Sequence, residues 1–407
     1  MDDVTNRIAS VTLMMALATS LVTGCSTAPP TGSDSAQSRA ALQSSADESS
    51  WSAEKEQSSE AEAQALWDGM TIEQQVASLL ILHFPGSDGA ATAAFLEEFR
   101  PGGVILMGDN IPDPEGALAE QTRQWQLEAE SGGFPPLIVS IDQEGGLVKR
   151  LAGDTGVGAG DLRDGDSEAV AEAFRDRGGY LAKLGVNVNF GIVADYTDDP
   201  ESFIYDRVLG TTPASAEVAV RAAVEGERQG GGGAVHSTIK HFPGHGLTAG
   251  DSHQIIPDCG DITKEEWTET AALPFEAGID AGTSMVMMSH ISCPQIASGP
   301  ASLQAQWYGI LRDDLGFNGV IVTDDMSMLT NSGDEAFADP GANAVGAINA
   351  GATLVLSIGG EDGPTATAYA QDLIDSVVEA VESGEIRTEV FHDAGIRALA
   401  FRLGLSY

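Results

Sequence analysis

A single (β/α)8 barrel of the TIM type is the α/β fold this sequence predicts, on three observations. Short, continuous apolar runs alternate with amphipathic stretches from about residue 66 to the end of the chain. Eight such runs fit into about 340 residues, the size of one large barrel with its loops. Chemically equipped side chains recur at the carboxyl ends of the runs, where a barrel gathers its loops on one face. A doubly wound open sheet is the alternative that periodicity alone leaves open.

In chain order the candidate strands begin with Val76–Leu82 and Gly103–Met107. A helical stretch, Pro114–Glu130, leads to Leu137–Ile141, and Ser167–Leu184 leads to Val186–Ile192. Pro213–Gln229 precedes Thr238–His241, and Lys264–Ala281 precedes Met285–Ser289. Val320–Thr323 and Thr353–Ser357 complete the eight. Continuous apolar runs of this length suit a parallel sheet covered on both faces, because crossover helices shield it from water. Some 50 residues follow Ser357, too few for another sheet domain, so one catalytic domain is expected over residues 66–407.

The chain ahead of that domain reads as an address and a tether. Arg7 supplies a thin positive region, and Ile8 to Val22 is an apolar run of 15 residues, short of the roughly 20 that span a bilayer. It ends in Val22-Thr23-Gly24-Cys25, which resembles a bacterial lipoprotein signal whose cysteine is lipidated. Residues 1–25 are therefore expected to be removed up to Cys25, leaving a protein anchored outside the cell membrane through lipid alone. An ordinary secretory signal with an incidental cysteine is the alternative. Residues 26–65 are rich in Ser, Ala, Glu, Gln and Thr, cannot bury enough surface to offset their ordering entropy, and are expected to be disordered.

Composition narrows the function. Lys+Arg number 20 against 61 Asp+Glu, a formal charge of -41, which excludes a general affinity for nucleic acid or anionic lipid. Lysines are scarce (Lys55, Lys149, Lys183, Lys240, Lys264), so one inside a motif is informative. Three cysteines are too few for a disulfide framework or a structural zinc site.

The equipped strand ends are Asp142-Gln143-Glu144-Gly145-Gly146, Lys240-His241-Phe242-Pro243-Gly244-His245-Gly246, His290, and Asp324-Asp325. Five of the seven histidines lie between residues 236 and 290. One acidic or Gly-Pro turn after a strand is commonplace; four such ends far apart in the chain point to a catalytic face.

Together with Asp251-Ser252-His253 and Val322-Thr323-Asp324-Asp325-Met326-Ser327-Met328, these motifs resemble glycoside hydrolase family 3, and within it the bacterial β-N-acetylhexosaminidases. The resemblance runs from about Leu66 to Leu405. It implies a single barrel without the family's second, sandwich domain. Retaining glycoside cleavage needs one carboxylate to attack the anomeric carbon and one acid to protonate the leaving oxygen. The resemblance implies Asp324 as the nucleophile, with Asp325 the competitor or a cap on the following helix. It also implies His253 as acid/base, oriented by Asp251, since a nearby carboxylate favours imidazolium. Asp142, Arg150, Arg207, Lys240 and His241 would hold the sugar, an ion pair with Asp206 or Asp195 being the other reading of Arg207.

Three departures from the family pattern stand out: Leu147, Leu247 and the pair Val208-Leu209. No metal or organic cofactor is implied; a zinc site from His241, His245 and His253 is the competing reading, with irregular spacing. The expected substrates are N-acetylglucosamine-containing glycans or muropeptides, and a monomer is expected. A family 3 β-glucosidase, a phosphorylase that lets phosphate intercept the intermediate, and a sugar-binding lipoprotein of a transporter are the alternatives. Cys259 and Cys293 fall just beyond neighbouring strand ends, and export permits a disulfide between them, two free buried thiols being the alternative.

Overall fold

The computed structural model describes residues 58–407. The signal segment, Cys25 and most of the expected tether lie outside these residues. Among the described residues no helix is long and apolar enough to cross a membrane.

Eight strands follow one another in the sequence: β1 (Leu80–Leu82), β2 (Gly103–Leu106), β3 (Ile138–Ile141), β4 (Val188–Val193), β5 (His236–Phe242), β6 (Met285–Met288), β7 (Val320–Thr323) and β8 (Val355–Ser357). Every strand residue except His236 is buried, as continuous apolar runs require. All sheet pairings are parallel and sequential from β1 to β7, with β8 returning beside β1. The β7–β8 seam completes the barrel through one bridge, Val322 with Leu354. Side chains reinforce it: Thr323 Oγ1 accepts from Leu356 N at 3.0 Å, and Thr353 Oγ1 accepts from Ile321 N at 3.2 Å. The open doubly wound sheet is thereby set aside.

Three expectations shift. The tether was expected to end at residue 65, but residues 58–69 are helical, with Ala63 and Trp67 buried. Trp67 meets the Phe391 ring edge-on at 5.0 Å and lies over Gly395, where any Cβ would sit 2.1 Å from the indole. That burial draws the segment into order.

The first strand is shorter than Val76–Leu82, because Thr71 and Gln74 form a capping box that starts a helix over Ile72–Ala77. Capping carries Val76 into that helix. The helix expected over Lys264–Ala281 is two, Lys264–Glu269 and Ala272–Asp280. Pro274 cannot donate to the Thr270 carbonyl and would clash with it in a continuous helix.

The helices Ser167–Lys183 and Pro213–Gly231 approach each other closely, and glycine makes that possible. A Cβ at Gly230 would lie 1.8 Å from the Arg175 carbonyl oxygen, and one at Gly226 2.2 Å from that of Ala171.

Candidate active site

The loop after β3 brings Asp142 and Glu144 to the carboxyl end of the barrel. Gln143, fully buried between them, acts as the fastener. Its backbone N–H donates to Asn189 Oδ1 at 3.0 Å, its Nε2 donates to Asp154 Oδ2 at 2.9 Å, and its Oε1 accepts from Arg150 N at 2.9 Å. Gly145 follows with φ 84° and no room for a side chain, since a Cβ would meet Arg177 Nη2 at 2.2 Å.

Three cations converge on the two acids. Lys240 Nζ, delivered by β5, lies 2.8 Å from Asp142 Oδ1 and 2.8 Å from Glu144 Oε1. Arg207 grips Glu144 with Nε and Nη2 at 3.0 and 2.7 Å, and Arg150 Nη2 approaches Asp142 at 3.7 Å. Burial would raise the Glu144 carboxyl, but Lys240 and Arg207 outweigh it and hold the group down at about 2. Burial likewise opposes the charge on Lys240, and Asp142 and Glu144 restore it, raising the ammonium above its usual range. Arg207 therefore pairs with neither Asp206 nor Asp195. Asp206 faces Arg163 instead, at 3.7 Å. Glu144 carried its signal in the same five-residue motif as Asp142, yet sequence reasoning gave it no part.

His241 follows Lys240 through a cis peptide. Arg207 Nη2 lies 3.2 Å from His241 Nε2. An arginine only donates, so Nε2 accepts and the ring proton sits on Nδ1, which donates to Asp195 Oδ2 at 2.7 Å. Burial pushes the Asp195 carboxyl up, while the backbone N–H groups of His245 and His241 pull it down. The arginine decides the pair: a protonated Asp195 would turn an imidazole N–H against another donor, so Asp195 is the carboxylate. Burial, with Arg207 and Lys240 nearby, pushes His241 well below the usual imidazole range and keeps it neutral. Asp195 reads in sequence as an ordinary acid after β4; only the fold reveals its partners.

At the end of β7 two adjacent aspartates meet different fates. Asp325 is tied across the seam: its Oδ1 accepts from Ser327 N at 3.0 Å and Ile358 N at 2.9 Å, and its Oδ2 from Ser327 Oγ. Burial nonetheless raises it to about 6. Asp324 is anchored through its backbone N–H to Met288 O at 2.8 Å, and its side chain accepts from Asp325 N at 2.9 Å. Below them, His290 Nε2 donates to the Asp325 carbonyl at 2.9 Å, and its Nδ1 accepts from Ser302 Oγ at 2.8 Å.

The segment after β5 carries the Asp-Ser-His triplet. Asp251 Oδ1 accepts from both the backbone N–H and Nδ1 of His253, at 3.0 and 2.9 Å. Burial works to raise the Asp251 carboxyl, and these bonds overcome it and lower it. Nε2 of His253 is left free, on a side chain that is 57% exposed. Ser252 Oγ bonds His245 Nε2 at 2.9 Å, and Phe203 sets its ring 5.4 Å from His253 and 5.6 Å from His245. Phe203 and Ser252 were not expected from sequence; both support this loop and both face the same cavity as His253. His245 does not join His241 and His253 as a ligand set: its Nε2 faces Ser252, and both ring nitrogens of His241 are engaged.

Cys259 and Cys293 are bonded, with their Cα atoms 5.0 Å apart. Backbone pairing sets the approach, because Cys259 N donates to Ser292 O at 2.9 Å and Ser292 N to Pro257 O at 2.8 Å. The bond pins the far end of the His253 loop to the segment after β6. Thiol counting on the denatured, unreduced barrel domain is expected to find neither cysteine reactive; two reactive thiols would contradict the bridge.

A cavity of about 290 Å³ collects these groups. Seven of the eight sequence-predicted site residues within the barrel line it: Asp142, Arg150, Arg207, Lys240, His241, His253 and Asp324. The eighth, Asp251, stands behind His253. A larger cavity of about 380 Å³, between Leu96, Trp125, Phe134 and Arg402, lies near the residues that precede β2 and β3 and lacks such a constellation. Among the described residues no cluster of three or more His, Cys, Asp or Glu is placed to hold a metal ion. The smaller cavity combines a carboxylate able to attack, an imidazole nitrogen able to carry a proton, and paired charges able to bind hydroxyl groups.

Comparison with known proteins bears on this arrangement. The family model described as the glycosyl hydrolase family 3 N terminal domain matches residues 71–400. The chain is 30% identical over 315 residues to the beta-hexosaminidase LpqI of Mycobacterium tuberculosis, covering 74% of this chain and 75% of that protein. It is 32% identical over 306 residues to the beta-hexosaminidase of Methylococcus capsulatus, covering 71% and 82%. Among solved structures, a glycoside hydrolase family 3 beta-N-acetylglucosaminidase from Paenibacillus sp. superposes with a TM-score of 0.73 at 32% identity. That match covers 82% of this chain and 62% of the other, so this chain spans less than two thirds of it. The LpqI structure from M. tuberculosis superposes with a TM-score of 0.71 at 27% identity, covering 83% and 95%.

Proposed function

Because the chain belongs to glycosyl hydrolase family 3 and is a glycoside hydrolase of the beta-hexosaminidase kind, we propose that it is a retaining exo-β-N-acetylglucosaminidase. It removes terminal N-acetylglucosamine from peptidoglycan fragments or related glycans. The observation that carries this reading is the meeting of Asp324 and the Asp251-supported His253 at one small cavity.

Asp324 attacks the anomeric carbon, and the bond to the leaving oxygen breaks as His253 Nε2 delivers its proton to that oxygen. The products of this half are a glycosyl ester on Asp324 and a neutral His253. The histidine then takes a proton from water as that water attacks the anomeric carbon, releasing the sugar and the Asp324 carboxylate. Asp251 holds Nδ1 throughout, which fixes the ring and leaves Nε2 to face the reacting oxygen. Asp142, Lys240 and Arg207 bind the sugar hydroxyls, with Glu144 holding the two cations in place and His241 backing Arg207. Each buried hydroxyl left unpaired would cost roughly 1–3 kcal/mol.

The enzyme acts outside the cell membrane, held by lipid on Cys25; the support is the Val22-Thr23-Gly24-Cys25 sequence. Release of nitrophenol from the β-N-acetylglucosaminide and β-glucoside tests the activity, with the first strongly preferred. Hydrolysis of neither, together with tight binding of free sugar, would instead support a sugar receptor.

A further inference from the structure

Resting on that hydrolase reading, we propose that Glu227, a core carboxyl on the helix Pro213–Gly231, is a positioning residue for sugar binding. It holds the Asn189 carboxamide against Gln143 and so sets the places of Asp142 and Glu144, the acids that carry Lys240 and Arg207. Glu227 itself does not line the cavity.

The route begins where the sheet ends. β3 and β4 pair through Ser140 with Val188 and Ile141 with Asn189, and there the backbone ladder stops. The Asn189 side chain continues it: Oδ1 accepts from Gln143 N at 3.0 Å, and Nδ2 donates to Gln143 O at 3.1 Å. One carboxamide thereby fixes the peptide links on both sides of Gln143, to Asp142 and to Glu144. β4 bulges between Asn189 and Ile192 beside this grip. Glycine is needed at 191, since a Cβ there would lie 2.3 Å from Asn189 Nδ2 and 2.5 Å from Gln143 O.

Glu227 locks the carboxamide from behind. Its Oε1 accepts from the same Asn189 Nδ2 at 2.5 Å, so that nitrogen serves two acceptors and the oxygen faces the one donor. Asn189, Gln143 and Glu227 are all fully buried, so no water competes for these bonds.

The carboxyl is a poor choice for stability alone. Its Oε2 has no partner among the described residues. Burial pushes the group up to about 7, against the pull of the Asn189 bond and of Arg177. Arg177 does not depend on it, because its Nε donates to Asp154 Oδ2 at 2.8 Å. A hydrocarbon of similar size would suit this part of the core as well or better. What it would not supply is the acceptor for Asn189.

The groups that do the chemistry are supported elsewhere. Asp324 is anchored to Met288 and Asp325, and His253 to Asp251. Loss of Glu227 should therefore weaken the hold on the sugar more than it slows turnover of bound substrate.

The test sets stability against binding. Glu227→Leu should melt at or above the wild-type temperature. Its Kd for free N-acetylglucosamine, measured by calorimetry, should weaken on the order of tenfold, with KM for the nitrophenyl glycoside rising in parallel and kcat changing less than about threefold. Glu227→Gln keeps an oxygen for Asn189 and should bind sugar as the wild type does. Added to Asn189→Ala, Glu227→Leu should weaken binding no further, because it acts through that carboxamide. A Glu227→Leu protein that melts well below wild type or does not fold makes the carboxyl a structural group and overturns the proposal, as does an unchanged Kd. A Gln variant as weak as Leu, or additive losses in the double variant, overturns the route through Asn189. Wild-type protein that binds the sugar but hydrolyses neither glycoside removes the hydrolase reading, while the binding series still decides the role of Glu227; absence of sugar binding as well removes both.

Discussion

Asp324→Ala should lose on the order of 10⁴-fold or more in kcat on every β-N-acetylglucosaminide while melting at the wild-type temperature. The covalent step has no substitute once the attacking carboxylate is gone. The fold survives because the side chain is half-buried and its protein hydrogen bond is to the adjacent Asp325 N–H. Asp325→Ala makes the contrasting control. It strands the half-buried N–H groups of Ser327 and Ile358 at the β7–β8 seam, at a cost below the roughly 1–3 kcal/mol of a fully buried unsatisfied group. Added azide should restore turnover to Asp324→Ala and yield a glycosyl azide of inverted configuration, by filling the space of the missing carboxylate. If Asp324→Ala kept more than a few per cent of activity, or if azide rescued Asp325→Ala instead, the nucleophile would have to be reassigned.

The second large effect is expected from His253→Ala, and its size should depend on the substrate. A disaccharide leaves as a poor alkoxide and needs the proton, so kcat/KM should fall by about 10²–10⁴. Nitrophenolate leaves unaided, so kcat/KM for that glycoside should fall much less. Its kcat should still drop, because the second half-reaction needs the same nitrogen as base; KM should drop with it as the glycosyl-enzyme accumulates. A burst of nitrophenol in the first turnover is the direct measurement. Equal losses on both substrates, with no burst, would mean that His253 binds sugar or supports the loop rather than moving protons. Stability should change little, since the ring is more than half exposed and its hydrogen bond is to Asp251, two residues away.

How far each part could be read from the chain follows from the range of the forces that place it. The eight strands were legible because burial on both faces imposes uninterrupted apolar runs, a signal contained in four to seven residues. Errors came where a competing local signal was passed over: the Thr71–Gln74 capping box that turned Val76 into helix, and Pro274, which split the helix after Lys264. The Asp251–His253 pair was legible for the same reason, since its partners are two residues apart and one turn suffices to join them.

The barrel, the strand ends that carry chemistry, and most of the side chains lining the cavity follow from local patterns in the chain. How those side chains are charged and joined depends on contacts made across the fold. Lys240 meets Asp142 across 98 residues, Arg207 meets Glu144 across 63, and His241 meets Asp195 across 46. Cys259 bonds Cys293 across 34, and Asp325 accepts from the N–H of Ile358, just past the strand that closes the barrel, across 33. No local pattern marks these partners, because parallel strands join only through crossover helices and neighbours in the sheet are distant in the chain. Barrel closure brings them within hydrogen-bonding distance and removes the water that would otherwise screen them, and that desolvation sets which group holds a proton.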